Sequence, residues 1–313
     1  MSKPEILVTS RLWPRYMDNL HGAFVVHDRT HQQDPAQWSS VAPRIRAIAT
    51  SGEAKVDEAL LAQLPALEMI LVFGVGYDGV DVAAARARGV PVTNTPDVLT
   101  EEVADMGIAL MLSIARRIPQ ADRFVRAGHW PQGSFPLTRK VSGARLGIVG
   151  LGRIGQAIAK RAESFGMSIA YTARNRRDAG AYTYFPTALA LAGEVDFLMV
   201  ITPGGDSTRG MIDAAVLAAL GDKGYLINIA RGSVIDQPAL VHAVTTGVIA
   251  GAALDVFADE PNVPAELRAH DNVVLTPHMA SGTWETRGAM ADLAFANLQA
   301  HFAGKPLLTP IQG

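Results

Sequence analysis

The sequence predicts two doubly wound α/β domains, each a parallel sheet with helices on its faces. Three observations carry this. Strand-like apolar runs alternate with helical patterns from one end of the chain to the other, the arrangement that parallel sheets with crossover helices produce. A glycine-rich turn of the form G-x-G-x-x-G, Gly150 to Gly155, stands near the middle of the chain. The 313 residues suffice for about two domains. Because a full domain's worth of residues precedes the turn, the unit that holds it reads as inserted into another.

Before residue 100 the predicted strands are Ile6-Val8, Phe24-His27, Ile45-Ala49, Met69-Phe73 and Val90-Thr93. Helical patterns lie between them, around Trp13-Leu20, Asp57-Leu64 and Val82-Arg88. Thr95-Pro96 breaks this series. Thr100 and Glu101 then open a long helical pattern with an apolar stripe through Val103, Met106, Leu110 and Ile114, which Pro119 should bend or end. Gly128 to Gly143, rich in Gly, Pro, Ser and Trp, reads as an irregular excursion. Strands follow at Leu146-Val149, Ser168-Thr172, Phe197-Ile201, Tyr225-Ile229, Ala252-Val256 and Val273-Thr276. A last helical pattern from about Glu285 to Phe302 should return the chain to the first domain. The expected division is residues 1–96 plus 288–313 as a substrate (catalytic) domain and 97–287 as a dinucleotide-binding domain, with the active site in the cleft between them.

Composition narrows the chemistry. A 49% hydrophobic content, 19% charged residues and a formal charge of -2 leave no charge excess to draw nucleic acid or an anionic membrane. Without cysteine there is no disulfide, thiolate metal site or cysteine nucleophile. Met1 to Glu5 leads directly into a strand-like run without a leader pattern, and no apolar run approaches the roughly 18 residues of a membrane span. The expectation is a cytoplasmic protein with a small-molecule substrate and no metal.

The glycine turn has the context that a dinucleotide fingerprint requires. A short buried strand, Leu146-Val149, precedes it, and an amphipathic helix, Ile154 to Phe165, follows. In Gly150-Leu151-Gly152-Arg153-Ile154-Gly155 the first glycine permits the tight turn, the second lets backbone approach a pyrophosphate, and the third lets helix pack on strand. The helix N-terminus then offers its unpaired N–H groups to the phosphates. The plain alternative is a glycine-rich turn in some other α/β domain. On the dinucleotide reading the central unit is Rossmann-type, inserted into a flavodoxin-like substrate domain. A ribose-binding carboxylate is expected at the end of the second strand. After Ser168-Thr172, however, come Ala173-Arg174-Asn175-Arg176-Arg177, with no acid before Asp178. Guanidinium forks suit a 2′-phosphate, so NADPH is expected over NADH, with Arg174, Asn175 and Arg176 as its ligands. A solvated basic loop is the competing reading.

Three ionisable residues stand at or just past predicted strand ends: Arg231, Glu260 and His278. That is the sheet edge where open α/β folds bind ligands. Histidine suits proton transfer near neutrality, a nearby carboxylate favours imidazolium, and an arginine can orient a carbonyl and stabilise developing charge.

Five stretches now make a specific resemblance: Gly74-Val75-Gly76-Tyr77-Asp78, Gly150 to Gly155, Asn228-Ile229-Ala230-Arg231-Gly232, Asp255-Val256-Phe257 through Glu260-Pro261, and Thr276-Pro277-His278. In this order they resemble the D-2-hydroxyacid dehydrogenase family, most closely its glyoxylate/hydroxypyruvate and hydroxyphenylpyruvate reductase branch. The resemblance implies that Arg231 binds substrate, Glu260 partners the histidine and His278 is the general acid/base. It also implies that the Gly74–Gly76 loop, through Val75 and Gly76, holds the substrate carboxylate by its N–H groups. Ile229 and Asp255 would line the cofactor site, Asp255 at the nicotinamide carboxamide, although a structural role at the strand end is the alternative. The implied reaction is reduction of small 2-oxo acids. The apolar stripe from Val103 and the tryptophan-bearing excursion to Gly143 offer more apolar surface than a hinge requires, which predicts a homodimer, as the resemblance also implies.

Formate dehydrogenases resemble this chain but lack the Glu–His pair, which Glu260 argues against. Phosphite dehydrogenases resemble a pattern with a lysine in the substrate loop, and Val72 to Asp78 has none. A dinucleotide-sensing, co-repressor-like binding protein shares the fold and the triad, but such relatives carry extra tails for peptide ligands. Phe73, Tyr77, Leu99 and Trp284 are candidate pocket residues, and Trp130 or Phe135 could reach a neighbouring subunit. Ordinary packing is the alternative for each.

Overall fold

Residues 3–312 are described by a computed structural model. Met1, Ser2 and Gly313 lie outside them, and with these a part of the opening segment read for a leader. The chain divides into two units, Met1–Leu99 with Ser281–Gly313 and Thr100–Ala280.

In the first unit the apolar runs become parallel strands β1 (Glu5–Val8), β2 (Val25–Asp28), β3 (Ile45–Ser51), β4 (Met69–Phe73) and β5 (Val92–Thr93), ordered β2-β1-β3-β4-β5. All of β4 is buried, as expected of a strand covered on both faces. Helices α1 (Pro14–Ala23), α2 (Thr30–Gln33), α3 (Pro35–Val41), α4 (Glu58–Ala62) and α5 (Val82–Ala87) connect the strands. Asp34, Asp57 and Asp81 cap the last three, each carboxylate accepting from a first-turn N–H at 2.8–3.0 Å. Strand β5 is shorter than the predicted Val90-Thr93. Val90 N–H closes α5 on Ala85, and Pro91 has no N–H to give a ladder.

The second unit is a seven-stranded parallel sheet of β6 (Arg145–Val149), β7 (Ser168–Thr172), β8 (Thr183–Tyr184), β9 (Phe197–Val200), β10 (Tyr225–Asn228), β11 (Gly251–Leu254) and β12 (Val273–Leu275). Their order is β12-β11-β10-β9-β6-β7-β8, so the chain turns back between β6 and β9. That reversal opens the crevice at the strands' carboxyl ends where ligands bind in such sheets. Its helices are α6 (Thr100–Arg116), α7 (Ile118–Arg126), α8 (Arg153–Glu163), α9 (Ala188–Ala192), α10 (Ala214–Leu220), α11 (Gln237–Thr246) and α12 (Ala265–Ala269). The break expected at Pro119 falls at Arg117, whose left-handed φ of 50° separates α6 from α7; Pro119 then sits harmlessly in the first turn of α7. Gly128 to Gly143 is irregular apart from one 3₁₀ turn at Trp130–Gln132. Helix α13 (Trp284–Phe302) belongs to the first unit and packs on α1 and β4. No helix among the described residues is long and apolar enough to cross a membrane.

Candidate active site

The dinucleotide turn is built by β6 and α8. Gly150 has φ 105°, and a Cβ there would lie 2.9 Å from the Thr202 nitrogen. At Gly155 a Cβ would strike the Gly150 carbonyl oxygen, so helix and turn touch through backbone alone. Gly152 faces open space and caps α8 without any side-chain bond, leaving the N–H groups of the first turn to a ligand. Leu151 is buried, Ile154 half-buried and Arg153 exposed. These residues fit a pyrophosphate. The Gly150 N–H donates to the Thr172 carbonyl at 2.9 Å, which sets the start of the Arg174–Arg176 loop beside the turn. Arg174, Asn175, Arg176 and Arg177 are all exposed.

Strands β10, β11 and β12 are in parallel register through Asn228, Leu254 and Leu275, so the segments leaving their carboxyl ends emerge side by side. Arg231, Glu260 and His278 lie on those segments. His278 Nδ1 donates to Glu260 Oε2 at 2.7 Å, and Glu260 Oε1 accepts from Phe257 N–H at 2.9 Å. The two side chains are 35% and 31% exposed, open enough to meet a substrate. Burial pushes the Glu260 carboxyl up. The His278 hydrogen bond and charge, the Phe257 N–H and the Arg231 charge outweigh it and hold the group below its ordinary value. A carboxylate can only accept, so Nδ1 carries the shared hydrogen.

The local chain explains how these groups are held. Asn228, fully buried at the end of β10, donates through Nδ2 to the Arg231 carbonyl at 3.0 Å. Its Oδ1 accepts from Ala230 N–H at 3.0 Å. That side chain ends the strand one residue before the predicted Ile229. Ile229 is buried, its Cδ1 2.9 Å from where a Cβ on Gly107 of α6 would stand. Arg231 is half-buried, with Nη1 donating to the Ala230 carbonyl at 2.8 Å. Gly232 lies so close to the Phe257 carbonyl that any side chain there would strike it, which brings the Arg231 and Glu260 segments together.

Asp255 is 1% exposed, and its carboxylate is engaged within the chain. It accepts from Thr276 Oγ1 at 2.6 Å and from the N–H groups of Met279 and Ala280 at 2.9 Å. Its carbonyl accepts the His278 N–H at 2.8 Å, with His278 at φ 50°, a region that histidine tolerates better than bulkier residues. Of the two roles the sequence left open for Asp255, this geometry supports the structural one.

In the first unit the Gly74–Gly76 loop leaves the carboxyl end of β4. Thr95 N–H donates to the Gly74 carbonyl at 2.9 Å and Asn94 Nδ2 to the Val75 carbonyl at 2.9 Å. Val75 and Gly76 are half-buried, and among the described residues their N–H groups meet no acceptor. Two half-buried donors side by side suit a carboxylate. Of the aromatic and apolar candidates, Phe73 and Leu99 are buried packing residues, Phe73 stacking on Tyr16 at 5.1 Å. Tyr77 and Trp284 are exposed, the latter against Trp13 at 6.1 Å; Trp130 is exposed, and Phe135 packs on Phe124 at 5.4 Å.

Asn228, Gly232 and Thr276 stand in stretches that carried the resemblance but were given no role of their own, and Asn94 was not singled out. An Asn at a strand end before a turn is the one signal that could have found the first. The others act through contacts that spacing does not show.

The two parallel sheets and the fingerprint define a dinucleotide-binding protein, and its relatives are oxidoreductases. Residues 108–280 match the family model for the D-isomer specific 2-hydroxyacid dehydrogenase NAD binding domain. The chain is 52% identical over 267 residues to a glyoxylate/hydroxypyruvate reductase A of Arabidopsis thaliana, covering 85% of each. It is 50% identical to a hydroxyphenylpyruvate reductase of Plectranthus scutellarioides, covering 86% of each. An NADPH-dependent glyoxylate/hydroxypyruvate reductase from Sinorhizobium meliloti, solved with NADP and malonate, superposes with a TM-score of 0.92 at 48% identity, over 99% of this chain and 97% of that one. The chain belongs to the D-isomer specific 2-hydroxyacid dehydrogenase family.

Proposed function

We propose that this chain reduces small 2-oxo acids, glyoxylate and hydroxypyruvate foremost and aryl pyruvates among the bulkier candidates, to D-2-hydroxy acids at the expense of NADPH. The 2.7 Å bond between His278 and Glu260 at the carboxyl edge of the fingerprint sheet carries the proposal. When bound, the reduced dinucleotide supplies the hydride that adds to the 2-carbon. The N–H groups of Val75 and Gly76 hold the substrate carboxylate. Arg231 orients the 2-oxo group and stabilises the charge that develops on its oxygen. His278 Nε2 gives that oxygen its proton, and Glu260 stabilises the imidazolium and fixes the ring. Asp255 ties the His278 segment to β11, and Ile229 contributes to the cofactor site through its main chain.

The NADPH preference is supported by exposed arginines at 174, 176 and 177, where a ribose-binding acid would otherwise stand, and by the NADP in the Sinorhizobium relative. A homodimer is supported by the apolar groups that α7 and the irregular segment leave in solvent, with Ile118 51%, Val125 52% and Trp130 67% exposed. A cytoplasmic location is part of the proposal, and the cysteine-free composition supports it. The test is NADPH consumption with glyoxylate, hydroxypyruvate and phenylpyruvate, ranked by kcat/KM, with chiral analysis of the products of the last two, since glycolate is achiral. D-hydroxy acids are expected; an L-product, or no turnover of any 2-oxo acid, overturns the proposal.

A further inference from the structure

The loop that carries Arg174 and Arg176 has almost nothing of its own to hold it. Between Ala173 and Asp178 no residue is in a helix or strand, and among the described residues none of these backbone groups bonds to another backbone group. One side chain intervenes. Tyr171, 1% exposed on β7, donates through its hydroxyl to the Arg177 carbonyl at 2.8 Å and accepts the Arg177 N–H at 3.0 Å. A single hydroxyl thus satisfies both backbone groups of one residue, as a neighbouring strand would. The ring is itself fixed: its backbone lies in β7, Phe185 N–H donates to its carbonyl at 2.8 Å, and Tyr184 packs against it at 5.4 Å. The other end of the loop is pinned where Thr172 receives the Gly150 N–H. The arginine loop is therefore tied at one end to the fingerprint and at the other to a buried phenol.

We infer that Tyr171 is a positioning residue for cofactor selectivity, its hydroxyl pre-ordering the arginine loop for the 2′-phosphate of NADPH. This rests on the NADPH reading above. Arg177 is exposed, so on loss of the hydroxyl water can satisfy its backbone. The consequence is a freer loop, which must be ordered again on binding, more than a weaker fold.

Calorimetric titration of Y171F with NADP and NAD, alongside KM for NADPH and NADH, tests it. The expected result is NADP affinity weakened about tenfold, the order expected for two modest hydrogen bonds. NAD affinity should stay within about twofold and kcat should be unchanged. Equal weakening of both cofactors would make the phenol a general support of the sheet and overturn the inference, as would unchanged affinity for both. R174A/R176A separates the two levels. If that variant loses NADP affinity selectively while Y171F does not, only the role of Tyr171 falls. If R174A/R176A is not selective either, the NADPH reading falls and takes this inference with it.

Discussion

Glu260 has the most informative ionisation in the site. Burial raises it, but the His278 hydrogen bond and charge, with lesser help from the Phe257 N–H and the Arg231 charge, depress the folded value, so it is a carboxylate throughout the neutral range. A depressed carboxyl contributes stability above its unfolded value near 4.5 and loses it as pH falls through the lower folded value. The His–Glu bond should thus survive any assay between pH 5 and 8. E260Q keeps the shape and removes the charge, so imidazolium loses its partner and the pH limit of ketone reduction should move to lower pH. An unmoved limit in a rate profile would leave Glu260 without an electrostatic role. Asn228 makes a different prediction. N228A removes both bonds that shape the Ala230–Arg231 turn and leaves a cavity, which should cost about 1–3 kcal/mol of stability. KM for the 2-oxo acid should rise more than KM for the dinucleotide; an equal rise in both would show a general loosening instead.

Among the elements, long or strongly periodic ones were legible and short ones were not. The stripe through Val103, Met106, Leu110 and Ile114 has the helical spacing of α6 but is not the surface for a partner it was read as, because Val103, Leu110 and Ile114 are buried within the chain and Met106 is half-buried. The fingerprint strand and helix emerged within a residue or two of their predicted ends. Strand β8 has only two residues and no pattern to read. Strand β10 stops early because the Asn228 side chain takes over the backbone partners that a longer strand would need. Arg231, Glu260 and His278 were legible because each stands just beyond a strand of one parallel sheet; the close approach at Gly232 was not, since it joins segments distant in sequence. G232A should therefore force the Arg231 and Glu260 segments apart and abolish reductase activity, while the calorimetric NADP affinity persists. Full activity in G232A would show that the two segments need not meet. In the arginine loop, R174A/R176A should raise KM for NADPH strongly and leave NADH little changed, with the difference shrinking at high salt as the attraction is screened. Equal effects on both cofactors would reduce the loop to a structural one.

At the scale of the whole molecule, two doubly wound units divide the tasks of the proposed reaction. One carries the Val75 and Gly76 N–H groups proposed to hold the carboxylate; the other carries the dinucleotide turn, Arg231 and the proposed proton donor, His278. The exposed apolar residues of α7 and the irregular segment predict a dimer, and light scattering that gives a monomer mass at micromolar concentration would contradict it. The central claim is that His278 moves the proton in an NADPH-dependent reduction of a 2-oxo acid. It is tested most directly by kcat in both directions across pH, for the parent and for H278A. In the parent, reduction should fall as pH rises through the imidazole value, and oxidation of the hydroxy acid should rise over the same range, because one direction needs imidazolium and the other imidazole. H278A should lose about 10²–10⁴-fold in kcat and both limbs, with NADP affinity intact. Parallel limbs in the two directions, or an H278A enzyme at the parental rate with chemistry limiting, would contradict it.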